Sequence, residues 1–297
     1  MSVFVASLNS GSNGNCYYIG NKEEAVLVDA GLSCKELEKR MRILSLNPEL
    51  LKAVFISHEH TDHISGLASL LKKYRLPVYI TERTYRACGF LLDEKLIQHF
   101  TPFTPIQLGS FTVTAFPKYH DAVDPHSFIV QHAGVTTGVF TDIGEPCKNV
   151  ISYFRHCHAV FLEANYDDGM LANSRYPVFL RNRISGRHGH LSNLQALELF
   201  AAHKPSFMTH LFLSHLSREN NDAAMVTALF QEKANGTQII HASRYTPSAV
   251  YEIIASATAT AAPFMPAPFN DHVSSSPTSS PTKKVKQASP QLQLSLF

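Results

Sequence analysis

Cysteine is scarce and unpatterned in this chain. The five present (Cys16, Cys34, Cys88, Cys147 and Cys157) are odd in number, scattered, and include no Cys-x-x-Cys pair. That argues against a disulfide framework or a thiolate zinc site and points to a reducing compartment. Long apolar runs are also lacking: no stretch approaches the ~20 residues needed to cross a bilayer. The opening Met1-Ser2-Val3-Phe4-Val5-Ala6 has no basic segment followed by a long apolar one, so no signal peptide is expected. The expectation is a cytoplasmic protein with no membrane partner. Nor does one sign of charge dominate. With 26 basic and 24 acidic residues the net charge is +2, so any nucleic-acid contact has to come from a local basic patch.

What the chain does have is a sufficient core and one dense run of metal-binding side chains. Apolar residues make up 44% of the 297, enough for one large domain or two small ones. The run is Val54-Phe55-Ile56-Ser57-His58-Glu59-His60-Thr61-Asp62-His63. A buried strand stops at Ser57, and five potential ligands fall in the six positions 58–63. Imidazole and carboxylate suit a divalent ion of the zinc or manganese kind. His58 and His60 are two apart, so on an extended segment they face one way. Asp62 and His63 lie beyond the turn and can address a second position. The pattern suggests two adjacent ions.

The rest of the chain alternates strand and helix. Strands are expected at Ser2–Leu8, Cys16–Ile19, Ala25–Gly31, Leu51–Ile56 and Pro77–Thr81, with helices at Lys35–Leu44, Gly66–Tyr74 and Glu82–Leu92. This order fits a mixed α/β protein with helices covering a sheet. Further strands are expected at Phe111–Phe116, Ser127–Gln131, Thr137–Phe140, Ala159–Glu163, Ser206–Leu213, Gln238–Ala242 and Val250–Ile254. Helices are expected from Ser192 or Asn193 to about His203, and over Asp222–Lys233. Three later strands lead to His120, Asp142 and Glu163, and delivery of ionisable groups from strand ends is what a metal site at a sheet rim requires. After Ala255 the composition turns rich in Ala, Ser, Thr and Pro, with a Lys283-Lys284-Val285-Lys286 cluster. The expected division is a catalytic domain over 1–255, a disordered tether over 256–292 and an apolar tip at 293–297.

The run His-x-His-x-Asp-His resembles the signature of the metallo-β-lactamase superfamily. That resemblance implies an αββα sandwich of two mixed sheets flanked by helices. It implies His58, His60 and His120 at a first metal, Asp62, His63 and His215 at a second, and Asp142 bridging both. Asp29 matches the supporting acid of the family. Such a pair of ions lowers the pKa of bound water and polarises the electrophile. Further segments narrow the likeness: Gly11-Ser12-Asn13-Gly14-Asn15, His120-Asp121-Ala122-Val123-Asp124-Pro125, Thr141-Asp142-Ile143-Gly144, Leu162-Glu163-Ala164-Asn165-Tyr166-Asp167, Gly186-Arg187-His188-Gly189-His190 and Ser214-His215-Leu216-Ser217-Arg218-Glu219-Asn220-Asn221. Together they resemble the YycJ/WalJ branch over residues 1–254. The implied activity is a DNA exonuclease at duplex ends, of 5′-to-3′ polarity, with Asp62 in the catalytic site.

The residues between Arg175 and His190 point the same way. Arg175, Arg181, Arg183 and Arg187 beside His188 and His190 can bring cations to a phosphodiester. His190 is expected to contact the scissile phosphate or protonate the leaving oxygen, with His188 behind it. Equally, the two histidines could simply support the ligands. Asn165 and Arg218 are further candidate substrate contacts. At the end of the tether, Gln293-Leu294-Ser295-Leu296-Phe297 resembles the pentapeptide with which bacterial replication and repair proteins bind the sliding clamp. Gln293, Leu294, Leu296 and Phe297 would be its contacts. The rival readings are a glyoxalase II-like thioester or lactone hydrolase, an RNA-processing nuclease of the same superfamily, and a clamp-bound adaptor without activity.

Overall fold

The computed structural model describes residues 2–255. The expected tether and clamp-binding peptide lie outside them. Three short antiparallel strands open the chain: β1 (Ser2–Asn9), β2 (Cys16–Gly20) and β3 (Ala25–Val28). Helix α1 (Cys34–Ile43) then crosses to β4 (Leu51–Phe55), which runs parallel to β3. Helices α2 (Thr61–Ile64) and α3 (Leu67–Tyr74) lead to β5 (Val78–Tyr79), and α4 (Glu82–Ala87) leads to β6 (Ile97–Gln98), both parallel additions.

The second half repeats the scheme. Strands β7 (Ile106–Leu108), β8 (Phe111–Pro117), β9 (His126–His132) and β10 (Val135–Phe140) pair antiparallel. Helix α5 (Lys148–Phe154) crosses to β11 (Ala159–Glu163). Helices α6 (Asp168–Ala172), α7 (Val178–Ile184) and α8 (Asn193–His203) precede β12 (His210–Ser214), and α9 (Ala223–Gln231) precedes β13 (Gln238–His241). Strands β10 to β13 are parallel neighbours. A last strand, β14 (Tyr251–Ile254), returns to pair with β1. Each seven-stranded sheet therefore has an antiparallel half and a parallel half.

Alternation along the strands explains the layering. Val3, Val5, Tyr17, Ile19, Val28 and Phe55 point inward and meet Phe111, Phe128, Phe161 and Phe212 of the other sheet. The intervening Leu8, Tyr18 and Leu27 point outward under α1 and α3 through Leu37, Met41 and Leu67. On the second sheet Val160, Leu162 and Leu213 play that part beneath Phe154, Phe200 and Phe230. Two sheets packed face to face, each covered by helices, make the αββα sandwich.

The departures from expectation are local. Helix α4 stops at Ala87 rather than Leu92, because Gly89 turns the chain with φ 71°. The strand expected from Ser206 begins at His210, after a turn closed by Met208 N–H on the Pro205 carbonyl at 3.1 Å. Helix α5, helices α6 and α7, and edge strands β6 and β7 were not expected. The strands run two and three residues, too short for a period to register.

Candidate metal centre

Every group that converges at the rim comes from the carboxyl end of a strand or the loop after it, where parallel strands of α/β sheets present ligands. From the first sheet, β3 delivers Asp29, and the loop after β4 delivers His58, His60, Asp62 and His63. From the second, β8 delivers His120, β10 Asp142, β11 Glu163 and β12 His215. Asp29, Asp142 and His215 hold left-handed backbone at φ 62°, 54° and 55°. That conformation is costly for a non-glycine residue and persists where the surroundings enforce it. Each sits just past a strand end, where the chain must turn sharply to aim the side chain at the rim.

The side chains form two adjoining groups. In the first, His58 Nε2 and His60 Nδ1 are 3.1 Å apart, and His120 Nε2 is 3.3 Å from His60 Nδ1. In the second, Asp62 Oδ2 lies 3.3 Å from His215 Nε2 and 3.5 Å from His63 Nε2. Asp142 stands between them, with Oδ2 3.2 Å from His63 Nε2 and Oδ1 3.8 Å from His120 Nε2.

Most inner nitrogens are aimed by a partner on the far side of the ring. His63 Nδ1 is 2.7 Å from Asp29 Oδ2, His58 Nδ1 2.9 Å from Ser57 Oγ, His120 Nδ1 3.0 Å from the Gly189 carbonyl and His215 Nδ1 3.0 Å from Glu163 Oε1. Such partners fix the tautomer and orientation of a metal-binding imidazole. Ser57 is itself tied to Asp29 through its N–H and hydroxyl, both at 2.9 Å.

This donor set fits divalent cations. Burial pushes the His58, His60 and His120 imidazoles below their usual pKa, which favours the neutral form that binds a metal. Nitrogens bound tetrahedrally to zinc lie about 3.3 Å apart, close to the spacing found. The Asp142 carboxylate is buried, with Oδ2 3.2 Å from His63 Nε2 and Oδ1 3.5 Å from His215 Nε2. A buried carboxylate facing imidazoles needs positive charge beside it, a proton on those rings or a bound cation. His63 and His215 differ from the first group. Burial pushes them down, but the carboxylates around them, Asp142 foremost, outweigh it; His63 rises well above its usual pKa and His215 to about 10.

An open cavity of about 380 Å³ lies over both groups. His60, Asp62, Asp142 and His215 form its floor, and Tyr176, Arg183 and His190 stand in its wall. His190 Nδ1 is 2.8 Å from Glu163 Oε1, which leaves the other ring nitrogen for a ligand. Asn165 also lines the cavity, while its Nδ2 donates to the His215 carbonyl at 2.7 Å. Arg187, His188 and Arg218 do not line it. Arg187 binds Glu145 at 2.7 Å and lies 4.4 Å over the Tyr119 ring, which His188 meets edge-on at 5.7 Å. Arg218 is exposed beside Glu219 at 3.3 Å.

Four contributors escape sequence reasoning in these roles. Asn15, read as a turn residue, brings Nδ2 to 3.0 Å from Asp62 Oδ2. Ser57 closes the strand, and Lys118 buries its ammonium on the Thr141 carbonyl at 2.6 Å. Glu163 is visible as a strand-end carboxylate, but not as the acid shared by His190 and His215.

Fold and site together define a metallohydrolase with its donors at the common rim of two sheets. Residues 10–147 match the model of the metallo-β-lactamase superfamily. Across 245 residues the chain is 33% identical to exodeoxyribonuclease YycJ of Bacillus anthracis, covering 80% of this chain and 92% of that one. With exodeoxyribonuclease WalJ of Streptococcus pneumoniae it shares 32% over 219 residues, 72% of this chain and 81% of the other. The metallo-β-lactamase fold protein YhfI of Bacillus subtilis superposes with a TM-score of 0.65 at 18% identity, over 85% of this chain and all of that one. The chain belongs to the metallo-β-lactamase superfamily, in the YycJ/WalJ branch, and is a hydrolase. Among the described residues no helix is long and apolar enough to cross a membrane.

Proposed function

We propose that the chain is a metal-dependent phosphodiesterase that degrades double-stranded DNA from its ends in the 5′-to-3′ direction. One observation carries the reading: two donor groups on either side of Asp142 lie at an open cavity lined by His60, Asp62, Asp142 and His215 together with Arg183 and His190. The names of the YycJ and WalJ relatives support DNA as the substrate. His58, His60 and His120 would hold one divalent ion, Asp62, His63 and His215 a second, and Asp142 would bridge them. Zinc and manganese both suit these donors. When bound, such ions supply a nucleophile near neutral pH and stabilise charge developing on phosphoryl oxygens.

The chain's own residues do the rest. Asp62 offers Oδ2 at the floor and is fixed there by Asn15. Glu163 orients His190, so the free imidazole nitrogen can contact a non-bridging oxygen or deliver a proton to the leaving oxygen. Arg183, on the wall and paired with Asp121 at 2.5 Å, would turn its remaining N–H groups to a phosphate oxygen. Arg187, His188 and Arg218, outside the cavity, remain for backbone contacts beyond the scissile group. Recruitment by the sliding clamp through Gln293, Leu294, Leu296 and Phe297 completes the reading, and places the enzyme in DNA repair or replication.

The test uses duplex DNA labelled at either 5′ end, with manganese or zinc, beside an Asp62→Ala/His63→Ala double variant and a panel of thioesters and lactones. Stepwise loss from the 5′ ends, absent in the variant, is the expected result. Thioester or lactone turnover without DNA hydrolysis overturns it. Deleting residues 293–297 is expected to abolish clamp binding and leave hydrolysis of a short duplex intact; unchanged clamp affinity refutes the docking role.

A further inference from the structure

Helix α7 carries two features that the hydrolytic site does not use. Its inner face, Leu180 and Ile184, packs with Tyr166 and Leu171 and anchors the segment to the domain. Phe179 points away from that cluster and is 74% exposed, with Val178 beside it at 61%. Other apolar side chains are as exposed; what sets this adjacent pair apart is its place beside the cavity.

Position on the helix connects Phe179 to the cavity. Phe179 and Arg183 are four residues apart, so they are neighbours on one face, one turn from each other. Arg183 lines the cavity wall, as does Tyr176, three residues before Phe179. Phe179 thus lies between two cavity-lining residues, about one turn from Arg183. Its chemistry is one-signed as well: residues 173–192 contain four arginines and no Asp or Glu. Arg183 reaches out to Asp121 at 2.5 Å and Arg187 to Glu145 at 2.7 Å. Asp121 is itself in the cavity lining, so among the described residues Arg175 and Arg181 are the arginines of the segment left without an acid partner.

We propose that Phe179 is a stacking platform for the exposed face of the terminal base pair of a duplex, positioning the end so that the strand enters the cavity. The inference rests on the nuclease reading above. A flat apolar ring beside arginines is the combination that holds nucleic acid without reading sequence, the ring taking a base face and the cations the backbone. The duplex end is the occupant this surface favours over a second copy of the chain. A self-complementary contact would bring the arginines of one copy against those of the other. The platform also gives a physical reason for preferring ends, since only a terminal pair exposes a stacking face.

The experiment compares the metal-loaded wild type with F179A and F179Y. Steady-state hydrolysis is measured on a blunt duplex and on bis(4-nitrophenyl) phosphate, a diester with no base pair. Binding is followed by 2-aminopurine fluorescence in the terminal pair of a duplex with phosphorothioate end linkages. Phe179→Ala is expected to raise KM for the duplex roughly tenfold, about one base–aromatic stack. It should abolish the fluorescence change while the small diester shows no matching rise in KM, and F179Y should restore both. An unaltered duplex KM in F179A, or equal losses on both substrates, overturns the platform. So does a shift from dimer to monomer in F179A by sedimentation, which would assign the ring to a second copy. Failure of the wild type to degrade DNA would instead strike the nuclease reading, so the two failures are distinguishable.

Discussion

Glu163 ties together more of the centre than any single donor does. It is fully buried at the end of β11, yet every contact it makes is used. Oε1 faces His190 Nδ1 at 2.8 Å and His215 Nδ1 at 3.0 Å, while Oε2 accepts from the Ile143 and Leu191 backbone N–H groups at 2.7 and 3.2 Å. One carboxylate thus positions a floor imidazole, the wall imidazole and the loop behind Asp142. Burial pushes its pKa up, but the His190 and His215 contacts together outweigh it and hold the carboxyl below its usual range. Glu163→Gln keeps the shape but turns an NH2 toward N–H donors. Removing such a support from a metal-binding imidazole costs about 10–100-fold in metal affinity or activity. We expect a loss of that size in competition with a chromophoric chelator and in hydrolysis of bis(4-nitrophenyl) phosphate. Unchanged values in both assays would remove Glu163 from the supporting network.

At the scale of elements, the loop after β4 keeps its shape because other backbone presses on it. The Asn15 N–H donates to the Asp62 carbonyl at 2.7 Å, the Ala30 N–H to the His63 carbonyl at 2.8 Å and the Gly31 N–H to the Asn15 carbonyl at 2.9 Å. A Cβ at Gly31 would sit 1.7 Å from the Asp62 carbonyl oxygen, so no larger residue fits without moving the loop. Gly31→Ala is expected to destabilise by about 1–3 kcal/mol, the usual cost of overpacking, and to weaken metal binding with it. A lowered Tm and chelator competition measure the two effects; a variant with wild-type values in both would show that the loop is free to move. The loop itself was legible in the sequence, because its donors are consecutive and follow a buried strand. Strands with a clear period and helix α8, which Ser192 caps with Gln195 in a capping box, were legible for the same local reason. Helices α6 and α7 were not, since five and seven residues give a period too little room, and arginines dominate the segment. Glu163 and Asn15 were hidden differently. Their partners lie 27 to 52 residues away in the chain, and only the fold brings them together.

The whole molecule gives the centre a structural role besides its chemical one. Each donor group draws on both sheets: His58 and His60 from the first with His120 from the second, then Asp62 and His63 with His215. Ions bound at both groups would cross-link the halves of the sandwich, and any ligand that binds only the folded state stabilises it by mass action, by about 2.7 kcal/mol at a hundred times its Kd. The pH dependence follows from the protons displaced. His58, His60 and His120 are held neutral by burial. His63 and His215 have raised pKa values, the latter about 10, so without metal they keep a proton at neutral pH. That proton stabilises the metal-free fold most fully below the ordinary histidine pKa, and its contribution fades as pH rises toward 10. A cation at the second group has to expel it, so metal affinity grows with pH. Thermal melts of chelator-treated protein, with and without added zinc, are therefore expected to show a metal-dependent rise in Tm that is larger at pH 8 than at pH 6. Calorimetry in buffers of different ionisation enthalpy should register the released protons. A metal increment independent of pH, with no proton release, would mean that His63 and His215 are already neutral and that the carboxylates around them set the affinity alone.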